Sequence, residues 1–139
     1  MKTKVFAAAA AMGMLCLASS AQAGDQSLSA ATIQGLFPGY YKAEVMGGYT
    51  LLIAAKSNGR LQGKAFGHED RGRWTVVGDR LCVSWTRWTD GKTKCGDIVK
   101  SGSWYVARDD QKGQLLRFTS IGADAFYQRV ASNTPNDRK

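Results

Sequence analysis

The chain has 139 residues and carries 19 lysines and arginines against 11 aspartates and glutamates, a formal net charge of +8. This length suits a single domain and excludes two separate hydrophobic cores. The positive charge favours partners such as anionic surfaces and acidic polymers. The single histidine disfavours a metal site built from several imidazoles.

The first 23 residues have the pattern of a secretory signal peptide. Lys2 and Lys4 precede an apolar run over residues 5–18, and Ala21-Gln22-Ala23 supplies the small residues of a cleavage site. The run is shorter than the ~20 residues that a bilayer-spanning helix needs. We therefore predict a periplasmic or secreted mature protein of 116 residues, with a net charge of +6 and no transmembrane segment.

Two cysteines remain after this segment is removed, because Cys16 lies within it. Cys82 and Cys95 would then meet in an oxidising compartment, where a disulfide is the default pairing. Closing a loop of this length stabilises a small domain by about 3 kcal/mol. The pair lacks the Cys-x-x-Cys spacing of redox-active sites, so we predict a structural disulfide.

One short helix is predicted near the start of the mature chain, and the segments after it read as strands. Residues 28–37 place apolar side chains at roughly helical spacing, with Ser29 as an N-cap and Pro38-Gly39 as a terminator. From Tyr40 onward, segments rich in Val, Tyr, Trp, Thr and Leu alternate with turn residues. The predicted strands are residues 40–46, 49–56, 60–67, 71–77, 80–87, 93–100, 103–108 and 114–119.

The connections between these segments are short and have turn chemistry, as in Ser57-Asn58-Gly59 and Thr89-Asp90-Gly91. Sequential hairpins give an antiparallel meander, and closing the meander removes its exposed edges. We therefore predict an all-β domain over residues 24–125, a barrel of roughly eight strands, with a half-open sandwich as the alternative. The polar residues 126–139 are predicted to form a disordered tail.

A set of glycine, tryptophan and cysteine positions resembles a known family. The chain contains an Asn58-Gly59-Arg60-Leu61 turn, a later Cys95, and between them the stretch Gly72-x-Trp74-x-Val76-x-Gly78-Asp79-x-Leu81-Cys82-x-x-Trp85. This order resembles a family of small exported bacterial β-rich proteins whose shared domain has no assigned function. The resemblance implies a periplasmic or secreted β domain with a cysteine pair. Gly72-Arg73-Trp74 also resembles the Gly-x-Trp of lipocalins and avidins, which are ligand-binding barrels.

The sequence contains no arrangement of residues typical of an active site. His68 precedes Glu69 and Asp70, but consecutive strand positions point to opposite faces, and in a loop the three would form a solvated turn. The glycines lie in turns rather than in a phosphate-binding loop before a helix. We therefore predict that the protein is not an enzyme and has no catalytic residues, no cofactor and no metal.

Tryptophans and cations supply the candidate binding residues. Trp74 and Trp85 lie on predicted strands among apolar neighbours and are expected in the core. Trp88 falls at a hairpin tip, where an exposed indole among cations can stack on a sugar or contact an anionic surface; alternatively, it folds back over its own hairpin against the disulfide. Trp104 and Tyr105, which follow Ser101-Gly102, either line the mouth of a barrel or close it. The tentative ligand-binding set is Arg87, Trp88, Lys92, Lys94, Trp104 and Tyr105.

Basic residues are frequent in the middle of the chain. On adjacent strands they would form one positive face, although charges on the outside of a barrel are also ordinary. They are Arg60, Lys64, Arg71, Arg73, Arg80, Arg87, Lys92, Lys94, Lys100 and Arg108.

Three functions fit these observations. The first is a non-enzymatic module that uses the hairpin around Trp88 to bind an envelope polysaccharide, an anionic surface or an envelope protein, and not nucleic acid. The second is a calycin-like carrier of a small apolar ligand inside the barrel, lined by Phe66, Trp74 and Trp85. The third is a secreted inhibitor of an acidic enzyme.

Overall fold

The computed structural model describes residues 26–45, 48–111 and 113–132. Within these ranges, eight antiparallel strands form a closed barrel, which confirms the predicted all-β fold; one described helix precedes the strands and a second follows them. The elements are α1 (Ala30–Leu36), β1 (Gly39–Val45), β2 (Tyr49–Ala55), β3 (Arg60–Ala65), β4 (His68–Val77), β5 (Arg80–Trp85), β6 (Thr93–Ser101), β7 (Trp104–Arg108), β8 (Gln114–Ser120) and α2 (Ala123–Ser132).

Each strand pairs with the next one along the chain, and β1 also pairs with β8. The closing register runs from Tyr41 opposite Ser120 to Val45 opposite Leu116. Because the sheet closes on itself, it leaves no edge strand with unpaired backbone groups. Alternate residues of every strand therefore face the barrel interior.

The predicted strand bounds are close to those observed, and β4 differs most. It begins at His68 instead of residue 71, because the turn before it is the two-residue loop Phe66-Gly67. Both loop residues have positive φ, +52° and +74°, as a tight hairpin turn requires. His68, Glu69 and Asp70 consequently lie on a strand rather than in a loop.

Helix α1 closes one end of the barrel. The Ser29 side chain accepts a hydrogen bond from the Thr32 backbone N–H, as predicted for the N-cap. Ile33 and Phe37 are buried in the core, and the Phe37 ring lies 5.1 Å from Trp74 and 5.8 Å from Phe118 between centroids. We call this end, with the β2–β3, β4–β5 and β6–β7 turns, the closed end.

Helix α2 corrects the predicted disordered tail. The prediction is wrong for residues 126–132, which belong to the helix, while residues 133–139 lie outside the described part of the chain. Phe126 is buried against Leu52 and Ala54 of β2, and Val130 packs on the same cluster. Four residues separate Phe126 from Val130, so both lie on one helix face and cover the apolar outer side of β2.

The predicted disulfide is confirmed. Cys82 on β5 and Cys95 on β6 are register partners, and their sulfur atoms are bonded at 2.07 Å. A disulfide is typical of a compartment more oxidising than the cytoplasm. The predicted signal peptide, residues 1–23, lies outside the described residues. Over the ranges 26–45, 48–111 and 113–132, no helix has the length and apolar character needed to cross a membrane.

Candidate functional site

The barrel holds a cavity of about 720 Å³ that opens at the end opposite α1. We call this opening, formed near the β1–β2, β3–β4 and β5–β6 connections, the mouth. The wall is mostly aliphatic and aromatic and includes Phe37, Tyr41, Val45, Leu51, Ile53, Leu61, Ala65, Leu81, Val83, Trp85, Trp88, Ile98, Ala107, Leu116 and Phe118. A volume of this size falls within the range of small-molecule sites in proteins.

The cavity exists because large and small inward residues are unevenly distributed. At the closed end, the Phe37 ring contacts those of Trp74 and Phe118, and all three side chains are buried in the core. Towards the mouth, the wall includes Ala65, whose side chain is small and occupies little of the interior. An eight-stranded barrel is just wide enough for its own side chains to fill it, so small residues leave room for a ligand.

The floor of the cavity is apolar except for one phenol. The Tyr41 hydroxyl donates a hydrogen bond to the Leu36 carbonyl oxygen at the end of α1. Burial, together with the neighbouring Tyr105, raises the pKa of Tyr41 to about 12. The phenol is therefore neutral at physiological pH and its polar atom is satisfied.

Trp88 forms part of the cavity wall. Its ring lies 4.8 Å from that of Trp85 between centroids, and it is partly buried against the core. Gly63 on β3 makes this position possible, since a Cβ there would lie 2.5 Å from the Trp88 ring. The loop between β5 and β6 thus folds back onto the barrel interior, and the indole is not an exposed hairpin tip.

A buried carboxylate fixes this loop. Asp70 is 5% exposed, and its Oδ2 atom accepts hydrogen bonds from the backbone N–H groups of Arg87 and Trp88, both at 2.9 Å. Its Oδ1 atom accepts a third from the Arg71 N–H at 2.8 Å. Burial opposes ionisation, but the three N–H donors outweigh it and lower the pKa of Asp70. Asp70 is thus ionised and positions Trp88 over the cavity.

Sequence reasoning did not assign this role to Asp70. The aspartate was considered only as a metal ligand or as part of a solvated turn, together with His68 and Glu69. Two of its three hydrogen-bond donors, Arg87 and Trp88, lie 17 and 18 residues away and are brought to it by the β4–β5 register, in which Gly72 is opposite Trp85. Among the residues that the structure describes, no three His, Cys, Asp or Glu side chains are grouped as metal ligands would be.

The mouth combines exposed aromatic rings with a few charges. Tyr49 and Phe66 lie at two neighbouring hairpin tips and are 55% and 72% exposed. Their rings contact each other edge to face, with 5.4 Å between the ring centroids. Phe66 holds a left-handed backbone conformation, which is rare for so bulky a residue. Besides tyrosines, the described wall has four ionisable side chains, those of His68, Glu69, Arg87 and Lys94.

Three of the six tentative ligand-binding residues meet at this cavity. Arg87, Trp88 and Lys94 line it, whereas the exposed Lys92 does not. Trp104 does not line the cavity; the Arg117 guanidinium lies 4.2 Å from its ring centroid.

Tyr105 faces the barrel interior but does not line the cavity. Its ring is stacked on that of Phe118, with 5.4 Å between the ring centroids. Of the residues expected to line a carrier, Phe66 and Trp85 do so. Trp74 instead packs at the closed end, where its indole N–H donates to the Lys56 carbonyl oxygen at 2.8 Å.

Comparison with known proteins found no matching family model, no matching curated protein and no matching solved structure. The resemblance carried by Gly72 to Cys82 and by Cys95 therefore stays a prediction.

Proposed function

We propose that this protein is a non-enzymatic carrier that binds one small apolar molecule inside its barrel. The observation that supports this function most is the open cavity of about 720 Å³ with its mainly aliphatic and aromatic wall. Transfer of apolar ligand surface from water into such a wall is favourable by roughly 25 cal/mol per Å². A ligand of drug or lipid-fragment size fits this volume.

The charges of the mouth suit a ligand with one polar end. Lys94 is the register partner of Val83, so its Cα lies at an inward position near the opening, and Arg87 lies on the adjacent loop. Deep in the cavity, the Tyr41 hydroxyl is already hydrogen-bonded to the Leu36 carbonyl oxygen. The apolar part of the ligand would therefore lie deep, with its polar group at the mouth beside these two cations.

The carrier would act outside the cytoplasm. The Cys82–Cys95 disulfide suits an oxidising compartment. The amino-terminal pattern of residues 1–23 predicts export to the periplasm or beyond. An apolar molecule that crosses such an aqueous space needs a shielded site, which the barrel interior would provide.

The hypothesis of an exposed, sugar-stacking Trp88 receives less support from the geometry. The indole is partly buried against Trp85 and Gly63 and lines the cavity. Its edge facing the interior is available to a ligand inside the barrel. The position of Trp88 thus favours the carrier over a surface that stacks on polysaccharide.

A matched pair of variants tests the proposal. Val83→Trp places an indole inside the cavity, whereas Val77→Trp makes the same change at a side chain that is 60% exposed. Binding would be measured with 1-anilinonaphthalene-8-sulfonate, an aromatic probe whose emission rises when it leaves water. We expect saturable binding by the unaltered protein, displacement of the probe by a long-chain alcohol, and a loss of at least about tenfold in affinity for Val83→Trp only.

Thermal unfolding of both variants would show that the barrel is intact. Equal affinities for the two variants, or no saturable binding by the unaltered protein, would contradict the carrier function.

A further inference from the structure

A second concave surface lies on the outside of the barrel, across β3, β4 and β5. It is an open groove of about 480 Å³ that extends from the turn after β2 to the loop before β6. Of the residues that the structure describes, four cationic ones line it and no acidic one does; the four are Lys56, Arg60, Arg71 and Arg73. We call this surface the arginine groove; its remaining lining is Leu61, Gln62, Gly72, Ser84, Trp85, Thr86 and Gly91.

The strand register places these cations side by side. Arg60 on β3 is directly opposite Arg73 on β4, and the Lys56 N–H donates to the Arg60 carbonyl oxygen at 2.9 Å. Neighbouring strands are ~4.8 Å apart, so the three residues form one row across the sheet. Arg71 lies two residues before Arg73 on the same face, opposite Gln62.

The groove cations differ from three other arginines of the barrel, which have acidic partners among the described residues. Within the described ranges, ion pairs join Arg117 to Glu44, Arg108 to Asp97 and Arg80 to Asp110, at 2.6, 2.9 and 2.6 Å. In that same part of the chain, none of the four groove cations forms an ion pair. On the face of β4 that carries Arg71, the nearest described acid along the strand is Glu69, two residues away and opposite Lys64; Asp70, next to Arg71, is buried on the other face.

Like charges directly opposite each other on neighbouring strands destabilise a sheet. The Arg60–Arg73 pair therefore carries a repulsion that no carboxylate in the described ranges relieves through an ion pair. An anion bound between these side chains would remove that repulsion. The lack of an ion-pair partner within the described part of the chain and the concave shape together indicate a site for an external anion.

We propose that the arginine groove binds a phosphate group of a second ligand, independently of the barrel cavity. A guanidinium offers planar paired donors that match phosphate oxygens, and a lysine adds a point charge. One carboxylate is satisfied by a single guanidinium, whereas a tetrahedral phosphate monoester or pyrophosphate accepts from several directions and carries more than one negative charge. Gln62 and Ser84 add uncharged polar groups beside the row.

The phosphate can belong to a soluble phosphorylated molecule or to a lipid headgroup, and one experiment separates these sources. Inorganic pyrophosphate would be titrated calorimetrically into the full chain at low salt. Cosedimentation would use phosphatidylcholine vesicles containing phosphatidic acid, with phosphatidylserine vesicles of equal charge for comparison. Binding of pyrophosphate alone identifies a soluble ligand, and preference for phosphatidic acid over phosphatidylserine identifies a lipid headgroup.

The decisive variant is Arg60→Gln/Arg73→Gln, and its control is Lys100→Gln/Arg129→Gln, which removes two positive charges outside the groove. We expect at least about tenfold weaker binding for the groove variant and less than about twofold for the control. Arg73→Lys keeps the charge but loses the planar donors, so it should weaken binding severalfold even if the double variant folds poorly.

Three results would overturn the proposal. The first is no saturable binding of pyrophosphate and no preference for phosphatidic acid vesicles. The second is an equal loss in the control variant, which would show that net charge alone is responsible. The third is tighter binding of polygalacturonate, a carboxylate polysaccharide, than of pyrophosphate at the groove.

Discussion

Replacing Asp70 by Asn tests how the barrel holds its cavity wall in place. The side chain keeps its size, but the amide has one acceptor oxygen instead of two, and its NH₂ group faces at least one backbone N–H. The three bonds at stake, from Arg71, Arg87 and Trp88, are 2.8, 2.9 and 2.9 Å long. The variant therefore leaves buried donors without an acceptor.

The expected loss can be estimated from these contacts. Hydrogen bonds to a charged group contribute about 1.5–3 kcal/mol each, and an unsatisfied buried donor costs about 1–3 kcal/mol. The asparagine retains part of the set, so we expect Asp70→Asn to lower the free energy of unfolding by about 3 kcal/mol. Urea denaturation followed by tryptophan fluorescence would measure it. Asp90→Asn in the same loop is the control, because asparagine also tolerates its left-handed backbone.

The same carboxylate predicts a pH dependence of stability. The pKa of Asp70 is lower in the folded chain than its unfolded value of about 3.9. The stability that the ionised carboxylate contributes is fully present above the unfolded pKa and is lost as the pH falls through the folded pKa. Asp70→Asn should therefore reduce the loss of unfolding free energy as the pH falls below about 4. The role given to Asp70 would be refuted if the variant had an unchanged free energy of unfolding at pH 7 and an unchanged loss of that free energy at acid pH.

Other predictions concern the core and the disulfide. Tyr41 should ionise near pH 12 in an absorbance titration, and the stability from its neutral form should be lost as the pH rises through that value; ionisation near pH 10 in a folded chain would contradict this. Replacing Cys82 and Cys95 by serine should lower the free energy of unfolding by about 3 kcal/mol, and an unchanged urea midpoint would exclude a structural role. Gly63→Ala should lower the free energy of unfolding by about 1–3 kcal/mol and displace the Trp88 ring, which would shift the indole emission. Unchanged emission would show that the ring position does not require a glycine at residue 63.

Much of the fold follows from short-range signals in the sequence. Turn residues such as Asn58-Gly59 and Asp90-Gly91 mark the hairpins, and period-two alternation identifies the inward positions of β5. Two cysteines on consecutive predicted strands suffice to predict their pairing. The sequence prediction missed helix α2 because it grouped Phe126 and Val130 with the polar residues 133–139 that follow them. These two side chains have helical i, i+4 spacing and hold the helix against β2.

The candidate site depends on distances that a sequence does not contain. Whether an eight-stranded barrel is full or open depends on how its inner side chains combine, and the position of Trp88 depends on Gly63 two strands away. The Asp70 contacts need the β4–β5 register. The sequence predicts that basic residues in the middle of the chain could share one face. Only the strand register shows that Arg60 lies opposite Arg73, whereas another cation, Arg108, has an acidic partner.

A crystal structure of the protein grown with a bromine-tagged long-chain alcohol tests the carrier function most directly. The account predicts an anomalous bromine peak inside the barrel, among the side chains of Leu81, Ile98 and Leu116 that line the cavity. A barrel interior closed by its own side chains, with bromine bound only on the outer surface, would contradict it.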